Sequence, residues 1–257
     1  MSRFGKLELE NQGQSLGREA REEPSAPQWL VAAEEAFGRG EFEPALRQFS
    51  RVLEYDVDQV AAWAGQVRAL IELGEFGEAR VWADKALERF PSAPELLAAK
   101  AVALGRLGEL DTALVFSDAS IGERGDVPYL WLARGDVLLA RGERRADYCF
   151  DRACAMAPES GLVAWLAGRI RYHYGQFAAA LSLARRAAAL DPAKSAVWLL
   201  CGDCQVALGF AAEAGVSFRQ ALDLQPDSRV AADRLAGIRS KGVAGTLTGW
   251  WRRRFGS

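Results

Sequence analysis

Residues 195–228 read SAVWLLCGDCQVALGFAAEAGVSFRQALDLQPDS. Two runs with apolar residues at helical spacing flank Gly209, and Pro226 closes the second run. A glycine lets the chain turn sharply after a helix, and a proline cannot continue one, so the stretch predicts helix, short turn, helix. Each helix carries an apolar stripe that one pair cannot bury, so the unit needs neighbours of its own kind.

Working outward, the same slots recur over six units of about 34 residues: 26–59, 60–93, 94–127, 128–160, 161–194 and 195–228. Trp29, Trp63, Trp131 and Trp198 open four of them. Gly40, Gly74, Gly108, Gly142, Gly175 and Gly209 follow each first run. Phe42, Phe76, Leu110 or Phe177 comes two residues later, and a small residue recurs as Ala45, Ala79, Ala113, Ala146, Ala180 and Ala214. Small residues in a fixed slot predict close helix approach.

This pattern resembles the tetratricopeptide repeat (TPR) family, over about four fifths of the chain. The resemblance implies an all-α fold: a right-handed superhelical solenoid of about six helix-turn-helix repeats. The segment after Pro226 carries Ala231, Leu235 and Ile238 at helical spacing behind Asp227 and Ser228, as expected of a C-terminal capping helix. The expected organisation is a mobile N-terminal tail (1–25), a solenoid with its cap (26–240) and a basic aromatic C-terminal tail (241–257).

Three units depart from the pattern. The third has Leu97 in the Trp slot, Ala101 in place of Gly, then Ser117, Ser120 and Gly125 where an aromatic, Ala and Pro are usual. The fourth is one residue short between Gly142 and Ala146, which should reshape that turn. In the fifth, Ala164 holds the aromatic slot and Trp165 follows it; a one-residue shift rotates a side chain by about 100° around a helix. Trp165 is therefore expected to point away from the slot that Trp63 fills, toward the concave face.

Composition narrows the function. Half the chain is apolar and 26% is charged, so a core must form. Lys and Arg total 32 against 34 Asp and Glu, for a net charge of -2, which argues against nucleic acid as the main partner. The longest stretch without Asp, Glu, Lys or Arg, Tyr172 to Ala184, is 13 residues and too short to span a bilayer, which takes about 20. The N-terminal sequence lacks the apolar run of a secretory signal, so the expected location is cytoplasmic. The four cysteines are then expected to be free thiols.

No catalytic motif is present: there is no GxSxG, HExxH or P-loop pattern, and His173 is the only histidine. No cofactor or metal site is expected. Cys201 and Cys204 form a CxxC, but both fall in helical slots that the family fills with packed residues, so burial is the expected role and redox or metal chemistry the alternative.

The resemblance places binding on the concave groove lined by the first helices. The matching positions are Glu34, Arg68, Arg106, Asp136, Trp165, Arg169, Tyr172, His173 and Asp203. Arginines fork onto carboxylates and aromatic rings offer rigid contact area, so an extended acidic or aromatic peptide would suit the set. A solvated charged face is the alternative. The Lys-Asn-Arg clamp with which some family members hold chaperone C-termini is not matched, since the one asparagine is Asn11.

Residues 239–257 hold five basic residues and no acid, leaving -7 for the rest of the chain against the total of -2. Trp250, Trp251 and Phe255 with Arg252, Arg253 and Arg254 have the composition of an interfacial membrane segment. Docking on the last repeat and contact with nucleic acid are the alternatives. The leading expectation is a non-enzymatic interaction scaffold, and the rival is a peripheral membrane assembly factor recruited by this tail.

Overall fold

A computed structural model describes residues 25–238. Twelve helices fall into six pairs: α1 (Ala26–Gly38) with α2 (Phe42–Tyr55), α3 (Val60–Glu72) with α4 (Phe76–Arg89), α5 (Pro94–Arg106) with α6 (Leu110–Glu123), α7 (Pro128–Ala140) with α8 (Ala146–Met156), α9 (Gly161–His173) with α10 (Phe177–Leu190), and α11 (Ser195–Ala207) with α12 (Ala211–Leu224). Residues 229–238 form α13, and the described residues contain no strand. The chain is an all-α superhelical repeat, as its periodicity predicts.

Each pair is joined by the same device. The turn glycines all have positive φ, from 71° at Gly142 to 86° at Gly108, a conformation that a Cβ disfavours. The residue after each glycine donates its N–H back across the helix end, as Glu75 does to the Leu70 carbonyl at 2.9 Å and Phe210 to the Gln205 carbonyl at 2.8 Å. This closure satisfies carbonyls that the helix leaves open and fixes the angle at which the second helix departs.

The recurrent alanines, Ala45 to Ala214, are fully buried. Glycines in the first helices receive rings: a Cβ on Gly202 would lie 2.3 Å from the Phe218 ring, and one on Gly135 would lie 2.7 Å from Phe150. The third repeat departs in sequence yet keeps the fold. Leu97 is buried in the Trp slot, and the Ser120 hydroxyl donates to the Pro94 carbonyl at 2.9 Å. The deletion in the fourth repeat shortens α8 to 11 residues, against 14 in the other second helices. Leu235 and Ile238 of α13 pack with Ala214 and Phe218 of the last repeat, Ala231 is fully buried, and the Ser228 hydroxyl caps the helix by accepting the Ala231 N–H at 3.3 Å.

Candidate functional site

The tryptophans show how the inner wall is set. The indole N–H groups of Trp63, Trp131 and Trp198 each donate to a carbonyl six residues earlier, those of Val57, Gly125 and Pro192, at 2.8–2.9 Å. These rings brace the loop that enters their own repeat. Trp165 does otherwise: its N–H reaches forward to the Ala196 carbonyl at 3.2 Å, in the next repeat. The one-residue shift does redirect the side chain.

It does not leave the ring open to solvent. Trp165 is only 2% exposed: Phe42 from the first repeat stacks on it at 6.1 Å with 16° between the planes, and the Gly40 turn lies against its edge. The superhelix winds tightly enough for repeats 1 and 2 to reach repeat 5 across its interior. Beside the stack, Arg169 donates through Nε to Glu72 Oε2 at 2.7 Å, joining residues 97 apart in sequence. Its guanidinium carbon lies 4.8 Å from the centre of the Phe42 ring and 5.1 Å from that of Trp165. Phe76 meets His173 edge-on at 6.3 Å. These contacts form a seam.

Further along the wall, Arg106 is buried and grips Asp136 with two bonds, Nε to Oδ1 at 2.9 Å and Nη2 to Oδ2 at 2.6 Å. The Tyr174 hydroxyl donates to the same Oδ1 at 2.7 Å. Burial works against the Arg106 charge, and the attraction and hydrogen bonds of Asp136 outweigh it, so its pKa lies above the ordinary value. Burial and the adjacent Asp136 raise the Tyr174 pKa, keeping that phenol a donor. Arg68 is sandwiched between Phe37 at 4.6 Å and Tyr129 at 4.2 Å, tying the second repeat to the first and fourth.

The nine wall residues expected from the sequence thus divide. Arg68, Arg106, Asp136, Trp165 and Arg169 are committed to internal contacts and do not stand free on an open groove. Glu34 and His173 are exposed, and Tyr172 is half-buried against Phe177. Partial burial and the nearby Arg106 lower the His173 pKa, favouring the neutral imidazole. Asp203 pairs with Arg234 of α13 at 2.8 Å; burial raises its pKa while Arg234 and Arg169 pull it down.

Between the seam and the last repeats lies a cavity of about 880 Å³. Its walls come from repeats 1, 2, 5 and 6, Arg106 of repeat 3 and α13, with Phe76, Phe177 and Leu199 among its apolar surfaces. Four arginines line it, Arg39, Arg106, Arg169 and Arg234, against the carboxylates Glu41, Glu72 and Asp203. Sequence reading missed Phe42, Glu72 and Arg234. Glu72 occupies the same repeat slot as Arg106 and His173, so the periodicity offered it. Phe42 gave no such signal, because its slot ordinarily packs within a repeat.

All four cysteines are free and buried. Burial pushes the Cys201 thiol up to about 11 and Cys204 to about 12, which disfavours the reactive thiolate. Among the described residues no group of three or more His, Cys, Asp or Glu is placed to hold a metal ion, and no helix is long and apolar enough to cross a membrane. The candidate tail residues Trp250 to Phe255 lie outside the described residues.

Stacked helical pairs around an inner wall of charged and aromatic side chains define a repeat protein built for protein contact. Family models described as tetratricopeptide repeat match residues 30–94 and 172–236, together just over half of the chain, and the protein belongs to this family. Members of the family act in general as non-enzymatic scaffolds. The fold is similar to that of a tetratricopeptide repeat protein from Parabacteroides merdae ATCC 43184, with a TM-score of 0.52 and 15% identity over 83% of this chain and 84% of that one. TTC0263, a thermophilic TPR protein from Thermus thermophilus, gives 0.50 and 16% over 83% and 98%. In the Cut9–Hcn1 hetero-tetramer the similar chain is longer: the match, at 0.51 and 17%, covers 83% of this chain but 43% of that one. At these identities the likeness is one of fold. No curated protein matches the sequence significantly.

Proposed function

We propose that the protein is an interaction scaffold that holds an extended segment of a partner protein in the cleft between its first two and last two repeats. The cavity of about 880 Å³ carries this reading, because it combines apolar walls with charged groups converging from several repeats. The closed seam narrows the expected long groove to this cleft, so the ligand is a short segment anchored by one or two side chains. Leu199→Glu and Tyr172→Ala alter partly buried lining residues. With helical circular dichroism retained, each is expected to cut capture of a native partner at least tenfold; undiminished capture by both refutes the cleft as the site.

A second reading rests on the composition of residues 239–257, with their charge of +5 and the Trp250–Trp251 pair. Each basic residue near an anionic bilayer contributes about 1 kcal/mol, so this segment would recruit the scaffold to a membrane surface. Liposome sedimentation should then rise with anionic lipid, fall with salt and vanish on removal of residues 241–257. Full-length protein that stays in the supernatant at low salt would exclude it.

A further inference from the structure

The seam has the form of a receptor site filled by its own chain. Trp165 and Arg169 stand about one turn apart on α9 and together present an aromatic face and a guanidinium. What covers them comes from elsewhere: a ring, Phe42, and a carboxylate, Glu72. Arg169 lies close to both rings while bonding the carboxylate, so the four side chains make one cluster. We propose that the Trp165–Arg169 face of α9 is a binding site for a partner segment bearing a carboxylate and an aromatic ring, and that Glu72 and Phe42 occupy it in cis. This inference rests on the inner wall being the partner-binding surface.

The cis occupants can be displaced. Among the described residues no backbone hydrogen bond joins repeats 1 and 2 to repeat 5, so the seam parts without unfolding a helix. Small rotations between successive repeats add along a solenoid, and a modest change at each junction separates its ends. The ion pair is within reach of water, with side chains 30% exposed at Arg169 and 17% at Glu72. Both Arg169 contacts fall on the single oxygen Oε2, at 2.7 Å and 2.5 Å, rather than forking across the carboxylate. A ligand carboxylate offering two oxygens makes the better partner.

Three observations fix the chemistry of the displacing ligand. Trp165 is almost wholly covered, and exposing so large a ring is costly, so what removes Phe42 must replace its area. Arg169 is flanked by aromatic faces and needs an anion in place of Glu72. Once Glu72 swings away, Arg169 faces the adjoining cavity without a carboxylate while Arg39, Arg106 and Arg234 keep Glu41, Asp136 and Asp203, so the unbalanced charge there is positive, which favours an acidic segment and repels a basic one. The cavity shares Trp165, Arg169 and Glu72 with the seam, so a ligand has room to arrive before the exchange.

The test uses the full chain and two fluorescein-labelled hexapeptides, one alternating Glu and Phe, the other Lys and Phe, with binding read by anisotropy. The Phe42→Ala/Glu72→Gln variant is expected to bind the acidic probe at least tenfold tighter than the parent and the basic probe not at all. Adding Arg169→Gln should remove that binding, and small-angle scattering should show a larger radius of gyration for the double variant than for the parent. Equal affinity for parent and double variant, equal affinity for the two probes, no binding by any variant, or an unchanged radius of gyration overturns the proposal. Should the double variant lose its helical circular dichroism, Glu72→Gln alone decides: tighter acidic-probe binding than the parent supports cis occupancy, and unchanged or weaker binding refutes it. Partner capture that depends on Leu199 and Tyr172 without any such gain would uphold the cleft while refuting this inference.

Discussion

Consecutive helices and the seam are held by different kinds of contact. At these helix junctions, fully buried alanines allow close approach, and within repeats 4 and 6 the Phe150 and Phe218 rings sit directly on glycine backbone of the paired helix. At the seam, beside a close approach of the Gly40 turn to Ala196, long side chains reach across: an indole stacked on a phenyl ring, and a partly wet guanidinium on a carboxylate. Shape complementarity over whole helix faces cannot be undone piecemeal, because an interior packed to crystal density transmits any change. Side-chain bridges can be exchanged one for another. The contrast teaches that one superhelix can combine closely packed helix pairs with a replaceable closure.

Trp165→Ala is the largest way to break the contrast. It should cost about 3–5 kcal/mol, as much as Trp63→Ala, since both rings are buried and leave cavities. Denaturant melts give the stabilities, and scattering separates the mechanisms: only the Trp165 variant should expand. Asp136→Ala strands Arg106 in a largely buried site and should cost about 3 kcal/mol or more in denaturant melts.

Gly202→Ala sharpens the junction side. Its Cβ would collide with the Phe218 ring, and the overpacking should cost about 1–3 kcal/mol with the seam intact by scattering. The buried thiols give a pH signature on the same side. Their folded-state pKa values, about 11 and about 12, lie above the usual 9.0, so the folded state keeps protons that the unfolded chain releases. Stability should be unaffected by these groups below pH 9 and fall as pH rises through 9 to 12. The Cys201→Ala/Cys204→Ala variant should flatten that fall in pH-dependent melts.

The smallest effect belongs to the seam's ion pair. Glu72→Gln should change global stability by about 1 kcal/mol, because the pair is partly exposed and the amide can still accept from Arg169, while still weakening the closure. A melt that loses several kcal/mol would place the pair among the rigid contacts and erase the distinction.

The sequence by itself determined the repeat. Glycine at each turn, alanine at each close approach and apolar residues at helical spacing act within about 34 residues, where local propensity and neighbour packing are written directly into the chain. Even the displaced Trp165 was legible as a redirected side chain, because a one-residue shift has a fixed angular consequence. Its burial was not legible. Whether the wall that holds Arg68, Arg106 and Arg169 stays open depends on the rotation between successive repeats, a small angle summed over several junctions. No residue pattern states that sum, so only the tertiary structure decided that Phe42 and Glu72 meet Trp165 and Arg169.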